Sequence, residues 1–231
     1  MSLPFTIEPL TETALVLRWP AQICPVTQAQ IHAIAALLRQ WPGLQECVPT
    51  YHCLAVYSDP ARPPLHAPML AQWLRQKEKL WRKPRVEHGR LRTLPVCYEL
   101  GDDLIEVASH CELPPEEVVA RHCQPTYRVC FLGFSPGFAY LSGLDPTLAT
   151  PRRAQPRTEI PAGAVAIGGA QTGLYPSATP GGWQIIGRSP QPLLDLSQSP
   201  PTWLQAGDRL KFEAISPAQY AQLQEASPCW T

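Results

Sequence analysis

Three arginines stand within six residues, Arg152, Arg153 and Arg157, on a loop stiffened by Pro151, Pro156 and Pro161. A guanidinium is a planar, permanently charged fork suited to binding a carboxylate or phosphate through two parallel hydrogen bonds. The acids close to this loop in sequence are Asp145 and Glu159, too few to balance all three. The loop therefore reads either as an anion site or as a set of structural ion pairs. Ahead of it, Phe131, Phe134, Phe138 and Tyr140 crowd around Gly133 and Gly137. Glycine permits close backbone approach to large rings, so this run suits an aromatic-lined cleft or plain core. Behind it come Gly168-Gly169-Ala170-Gln171-Thr172-Gly173-Leu174-Tyr175 and Thr179-Pro180-Gly181-Gly182-Trp183. Such turns can form a backbone nest for an anion or serve the corners of a barrel. Gln171, Thr172 and Tyr175 add polar groups to them. His122 precedes all three blocks and can act as a general base, pair with an anion as imidazolium, or hold a helix end. No phosphate-binding Gly-Lys-Ser/Thr loop, G-x-S-x-G elbow or zinc-type His/Cys spacing is present.

These residues need a scaffold. Thr13 to Trp19 reads as a strand. Thr27 suits the N-cap of a helix whose apolar stripe is Ile31, Ile34, Ala35, Leu38 and Trp41, ended by Pro42-Gly43. Strands are expected at Leu44–Val48 and His52–Tyr57. A second helix is expected over Pro64–Trp81 with Met69, Leu70, Trp73, Leu74 and Leu80 inward, followed by a basic, solvated end. That makes a small α+β domain over residues 1–86. The polar stretch Arg82–Gly89 marks the boundary, and a second domain fills 87–231. This second domain opens with a strand at Arg92–Tyr98, a short helix at Asp102–Ala108 with acids in its first turn, and another starting at Pro114 and carrying His122 near its end. Short strands then follow at Tyr127–Leu132, Ala164–Gly168, Trp183–Ile186 and Arg209–Phe212, a pattern that suits a closed or nearly closed β barrel.

Composition bounds the function. The 231 residues carry 19 Lys and Arg against 19 Asp and Glu. A neutral chain lacks the cationic footprint of a nucleic-acid binder. No apolar run approaches the ~20 residues that span a bilayer, and Met1–Thr6 shows no secretory signal, so the cytoplasm is the expected compartment. The eight cysteines form no C-x-x-C pair and read chiefly as small hydrophobes. Proline is abundant, 28 in the chain, and residues 125–201 hold 12 of these with 10 of the 14 glycines. They stiffen the turns that carry the arginines.

FLGFSPGFAYL, PRRAQPRTEIPAG and GGAQTGLYPSATPGGWQIIG, in that order, resemble the signature blocks of the family formed by the B component of bacterial 5-oxoprolinase, also described as allophanate hydrolase subunit 1-like or KipI-like. Weaker similarity runs through Pro95-Val96-Cys97-Tyr98, Asp103-Leu104, Val107-Ala108, His122 and Gly207-Asp208. Two features depart from the family pattern. The segment Glu99–Leu104 lacks most of a Gly-rich loop, and Ala139 stands where proline is common.

The resemblance implies a cyclophilin-like barrel after the N-terminal α+β domain. It also implies a subunit of an ATP-dependent enzyme that opens 5-oxoproline to glutamate with partner subunits C and A. ATP, with Mg, is expected at a subunit interface, and the chain is not expected to act alone. Other branches give the alternatives: a regulator that inhibits a sensor histidine kinase, or a subunit acting on a urea- or allophanate-like amide. A prolyl isomerase would rest on fold analogy alone. On the first reading the expected catalytic residues are His122, Arg152, Arg153 and Arg157. The expected substrate contacts are Phe134, Phe138, Tyr140, Gln171, Thr172, Tyr175, Gly181, Gly182 and Trp183, with no metal-ligand set on the chain.

Overall fold

The computed structural model describes residues 3–21, 24–63, 65–84 and 89–226. It divides into two compact units, Met1–Glu87 and His88–Thr231. The boundary expected at residues 86 and 87 lies outside the described residues, as do Pro64 and Cys229.

In the first unit, β1 (Thr6–Thr11), β2 (Ala14–Arg18), β3 (Leu44–Pro49) and β4 (Cys53–Ser58) form an antiparallel sheet in the order β1-β2-β4-β3. Helix α1 (Pro25–Leu38) begins two residues before the expected cap. Pro25 explains this: its fixed φ and missing N–H cost nothing in a first helical turn. The stripe Ile31, Ile34, Ala35 and Leu38 is buried against Leu15, Leu17, Leu54 and Val56. The second expected helix is instead two, α2 (Ala67–Gln76) and α3 (Glu78–Trp81), separated at Lys77. The break turns the apolar face. Leu70, Leu74 and Trp81 are buried, whereas Met69 and Leu80, expected inward, are exposed. Trp81 then donates its indole N–H to the Leu74 carbonyl at 2.8 Å.

The second unit is a near-closed mixed barrel. Its strands are β5 (Leu91–Val96), β6 (Tyr127–Leu132), β7 (Ala139–Ser142), β9 (Ala164–Gly168), β10 (Gln171–Leu174), β12 (Gln184–Arg188) and β13 (Arg209–Ala214), in the order β12-β9-β10-β7-β6-β13-β5. β13 and β5 run parallel, and every other neighbouring pair is antiparallel. The ends meet where Cys97 and Arg188 exchange backbone hydrogen bonds of 2.8 and 3.0 Å. A short pair, β8 (Arg157–Ile160) with β11 (Thr179–Gly181), stands apart from the main sheet. Helices α4 (Leu104–His110) and α5 (Pro115–Cys123) contribute Val107, Ala108 and Val118 to the barrel core, and α6 (Pro217–Ala226) follows the last strand.

Alternation along the strands sends side chains to two separate cores. Val165, Ile167 and Leu174 join the interior with Leu94, Val96 and Phe212. Ala164, Ala166 and Tyr175 join a second cluster with Phe138, Ile160, Trp183 and Ile185. Of the seven described cysteines, all free, Cys97 and Cys130 are buried and the rest half-buried. No described helix is long and apolar enough to cross a membrane.

Candidate functional site

Asp103 organises the arginine loop. It sits at the start of α4 but does not cap that helix. Its carboxylate, 2% exposed, instead accepts four hydrogen bonds. Arg157 Nη1 and Nη2 grip it as a fork at 2.8 and 2.7 Å, Arg153 Nη1 approaches at 2.9 Å, and the Ile185 backbone N–H at 2.7 Å. Arg153 also lies 3.6 Å from the Glu106 carboxylate. The hydrogen bonds that Arg157 donates to the Asp103 carboxylate raise the pKa of its guanidinium above the ordinary value. Two of the three arginines therefore have a structural partner, one that local sequence could not name because it lies about 50 residues upstream.

Arg152 differs. It forms no ion pair among the described residues, and its guanidinium lies over the Trp183 ring, 5.5 Å from the centroid. A cleft of about 690 Å³ opens beside it. Asp102, Ile105, Glu106, Ser109 and His110 line one side, Thr150, Pro151, Arg152, Arg153 and Ala154 the other, together with Gln184.

Under Arg152 stands the aromatic cluster. Phe138 meets Tyr140, Tyr175 and Trp183 edge-on at 4.8, 4.9 and 5.6 Å. The glycines of the third block make this packing possible. A Cβ at Gly168 would fall 2.6 Å from the Trp183 ring, and one at Gly173 would fall 2.8 Å from Phe138. Burial pushes the Tyr175 phenol up to about 12, partly offset by Arg152, and raises Tyr140 with the same opposition from Arg152. Both phenols are neutral donors at physiological pH. Phe134 is 64% exposed at the β6–β7 turn, with a left-handed φ of 72° and its ring 5.5 Å from Phe138. Gly181 lies against Tyr175 and Ile160, where a Cβ would meet both at 2.7 Å, and the Gly182 carbonyl accepts the Arg153 backbone N–H at 2.8 Å.

His122 and Thr172 lie elsewhere. His122 is fully buried within the barrel, its ring 4.4 Å from that of Phe212. Thr172 donates its hydroxyl to the Ala166 carbonyl at 3.1 Å. That leaves His122 Nε2–H to donate to Thr172 Oγ1 at 3.0 Å, and Nδ1 to accept from the Tyr98 hydroxyl at 2.7 Å. Burial lowers the imidazole to about 3, so it is neutral. Thr172 points into the barrel, and its neighbour Gly173 faces the aromatic cluster on the other side of β10. The structure thus brings Arg152, Tyr140, Tyr175, Trp183 and Phe138 together and puts Arg153 and Arg157 beside them on Asp103. It does not bring His122 or Thr172 to that face. Gln171 stands half-buried at the start of β10. Sequence reasoning missed Asp103 and Gln184. The side chain of Gln184 is 4% exposed, and the residue opens β12 directly after the Gly-Gly-Trp turn. Among the described residues no group of three or more His, Cys, Asp or Glu gathers to hold a metal ion.

A family model described as "carboxyltransferase domain, subdomain C and D" matches residues 5–204. The chain is 38% identical to a protein of Bacillus subtilis named as the B component of 5-oxoprolinase, over 98% of this chain and all of that one. It is 42% identical to one of the same name from Haemophilus influenzae, over 89% and 96%. Among solved structures, the protein titled TTHA0988 superposes with a TM-score of 0.75 at 38% identity, over 88% of this chain and 40% of that longer chain. The urea carboxylase of Kluyveromyces lactis superposes with a TM-score of 0.77 at 16% identity, over 96% of this chain and 22% of that one, a likeness of fold alone.

Proposed function

The chain belongs to the family of the 5-oxoprolinase B component, and we propose that it serves as that component of an ATP-dependent enzyme that opens 5-oxoproline to L-glutamate together with subunits A and C. The observation that carries this reading is identity of 38% and 42% to two proteins of that name across nearly the whole length of both partners. The longer chain of TTHA0988, of which this chain covers 40%, adds support for partners, since a similar unit is there joined to further sequence. Kinship of the barrel with cyclophilin belongs to the same proposal.

The chemistry explains the need for ATP. A lactam carbonyl is a poor electrophile, and transfer of the γ-phosphoryl group to its oxygen makes ring opening by water feasible. Such transfer is stabilised by positioning and by cations around the developing charge. Of the three loop arginines, Arg152 alone pairs with no described carboxylate, and its guanidinium is left to hold an anionic group of the substrate. Arg153 and Arg157, held by Asp103, set the loop that presents it. Trp183 lies under the Arg152 guanidinium, and Tyr140 and Tyr175 pack with Trp183 in the aromatic cluster that supports it. His122 and Thr172 stiffen the barrel beneath. On this reading ATP with its Mg binds at the interface with a partner subunit, and no step on this chain is assigned to the metal.

The test is glutamate formation from 5-oxoproline by the mixture of this chain with subunits A and C and ATP. The reading expects activity that vanishes when this chain is left out. An unchanged rate without it would overturn the proposal.

A further inference from the structure

Among the described residues, Gln184 is the one polar side chain of the cleft that is nine-tenths buried and only half satisfied. Its Nε2 donates to the Pro151 carbonyl at 3.0 Å, while its Oε1 has no hydrogen-bond partner among the described residues. The donor bond fixes which way the amide faces, so the acceptor is the atom left to meet a ligand. A buried acceptor without a partner is costly, and a ligand that brings an N–H recovers that cost. The same cleft holds Arg152, whose charge no described carboxylate neutralises, and Arg153, whose Asp103 partner is shared with Arg157. Acceptor and cation together define a ligand: a small molecule with an amide N–H and a carboxylate close to it.

We infer that this cleft reads the amide substrate, with Gln184 Oε1 accepting its N–H and Arg152 taking its carboxylate. The inference rests on the proposed function for the identity of that substrate. In 5-oxoproline one carbon separates the ring nitrogen from the carboxylate, so both groups fit a single compact site. Gln171, Thr172 and Tyr175 are the polar residues that the sequence offered for this task. Thr172 is engaged inside the barrel, and Gln184 takes the place in the cleft.

The experiment measures binding, separately from turnover. Wild-type chain, alone and assembled with subunits A and C, is titrated with 5-oxoproline and with the corresponding lactone, in which a ring oxygen replaces the N–H. Wild type is expected to prefer the lactam by about tenfold, the worth of one buried hydrogen bond. In Gln184→Met the lactam should weaken by about tenfold while the lactone stays within about twofold, so the preference disappears. Equal affinity of wild type for the two ligands, no binding of either, or an equal loss of both in the variant would overturn the inference. The comparison of ligands on wild type needs no variant, so it stands even if Gln184→Met fails to fold. Failure of the functional reading shows differently: wild type would keep its lactam preference, yet the assembled mixture would form no glutamate.

Discussion

Arg157 grips the carboxylate of Asp103 through two hydrogen bonds of 2.8 and 2.7 Å, and Asp103 is almost fully buried. This pairing ties the arginine loop to the start of α4, on the same carboxylate that reaches Arg153 and the Ile185 backbone. Removing one partner of a buried ion pair is costly because it leaves a charge uncompensated. Asp103→Ala is expected to lower unfolding stability by about 3 kcal/mol, read from urea denaturation. A loss below about 0.5 kcal/mol, the range of an ordinary surface substitution, would contradict the clamp.

Arg152→Gln should behave in the opposite way. Arg152 has no ion pair among the described residues, and it rests on the Trp183 ring. The variant should keep its stability within about 0.5 kcal/mol while the KM for 5-oxoproline of the assembled enzyme rises by about tenfold or more, as expected for a lost charged contact. An unchanged KM would remove Arg152 from the site.

The glycines of the third block give a graded series. Gly168→Ala would put a Cβ 2.6 Å from the Trp183 ring, whereas Gly182→Ala meets nothing closer than 3.6 Å. Overpacking of this kind costs about 1–3 kcal/mol, so the first variant should lose that much stability and the second should cost markedly less. Equal melting temperatures for the two would contradict the packing account.

His122 provides a test by pH. Its folded value is lowered by burial to about 3 from an ordinary 6.5, so below pH 6.5 the unfolded chain takes up a proton that the folded chain refuses. Stability from this group is therefore fully present above pH 6.5 and lost progressively as pH falls toward 3, by at most about 1.4 kcal/mol per pH unit. His122→Gln should flatten the slope of stability against pH between 6 and 4 relative to wild type, as measured by denaturation at each pH. Identical slopes would show that the imidazole titrates in the folded barrel.

Local pattern made much of the scaffold readable. The spacing of Ile31, Ile34, Ala35 and Leu38 predicts α1, and the runs Tyr127–Leu132 and Ala164–Gly168 appear as β6 and β9. Strands β7, β8, β10 and β11 have three or four residues each. They are too short to show a period, and β10 carries a glycine at the position that makes room for Phe138, so it reads as a turn. The α2–α3 break depends on how Trp81 packs back on Leu74, a tertiary effect. The site divides along the same line. Arg152, Trp183, Tyr140 and Tyr175 stand out by residue type and clustering. The role of Asp103 in holding Arg153 and Arg157 is not legible, because those partners lie about 50 residues away and only the closed barrel brings them together. The separation of Thr172 from Tyr175 follows from strand alternation along a strand that the sequence did not reveal.

On the proposed reading this chain is an indispensable component of a lactam-opening enzyme and Arg152 serves its cleft. The most direct measurement is the rate of ATP-dependent glutamate release from 5-oxoproline by subunits A and C with wild-type chain, with Arg152→Gln, and with no added chain. Full activity is expected with wild type, a strongly reduced kcat/KM with the folded Arg152→Gln variant, and none without the chain. Glutamate release at the same rate in all three mixtures would contradict that reading.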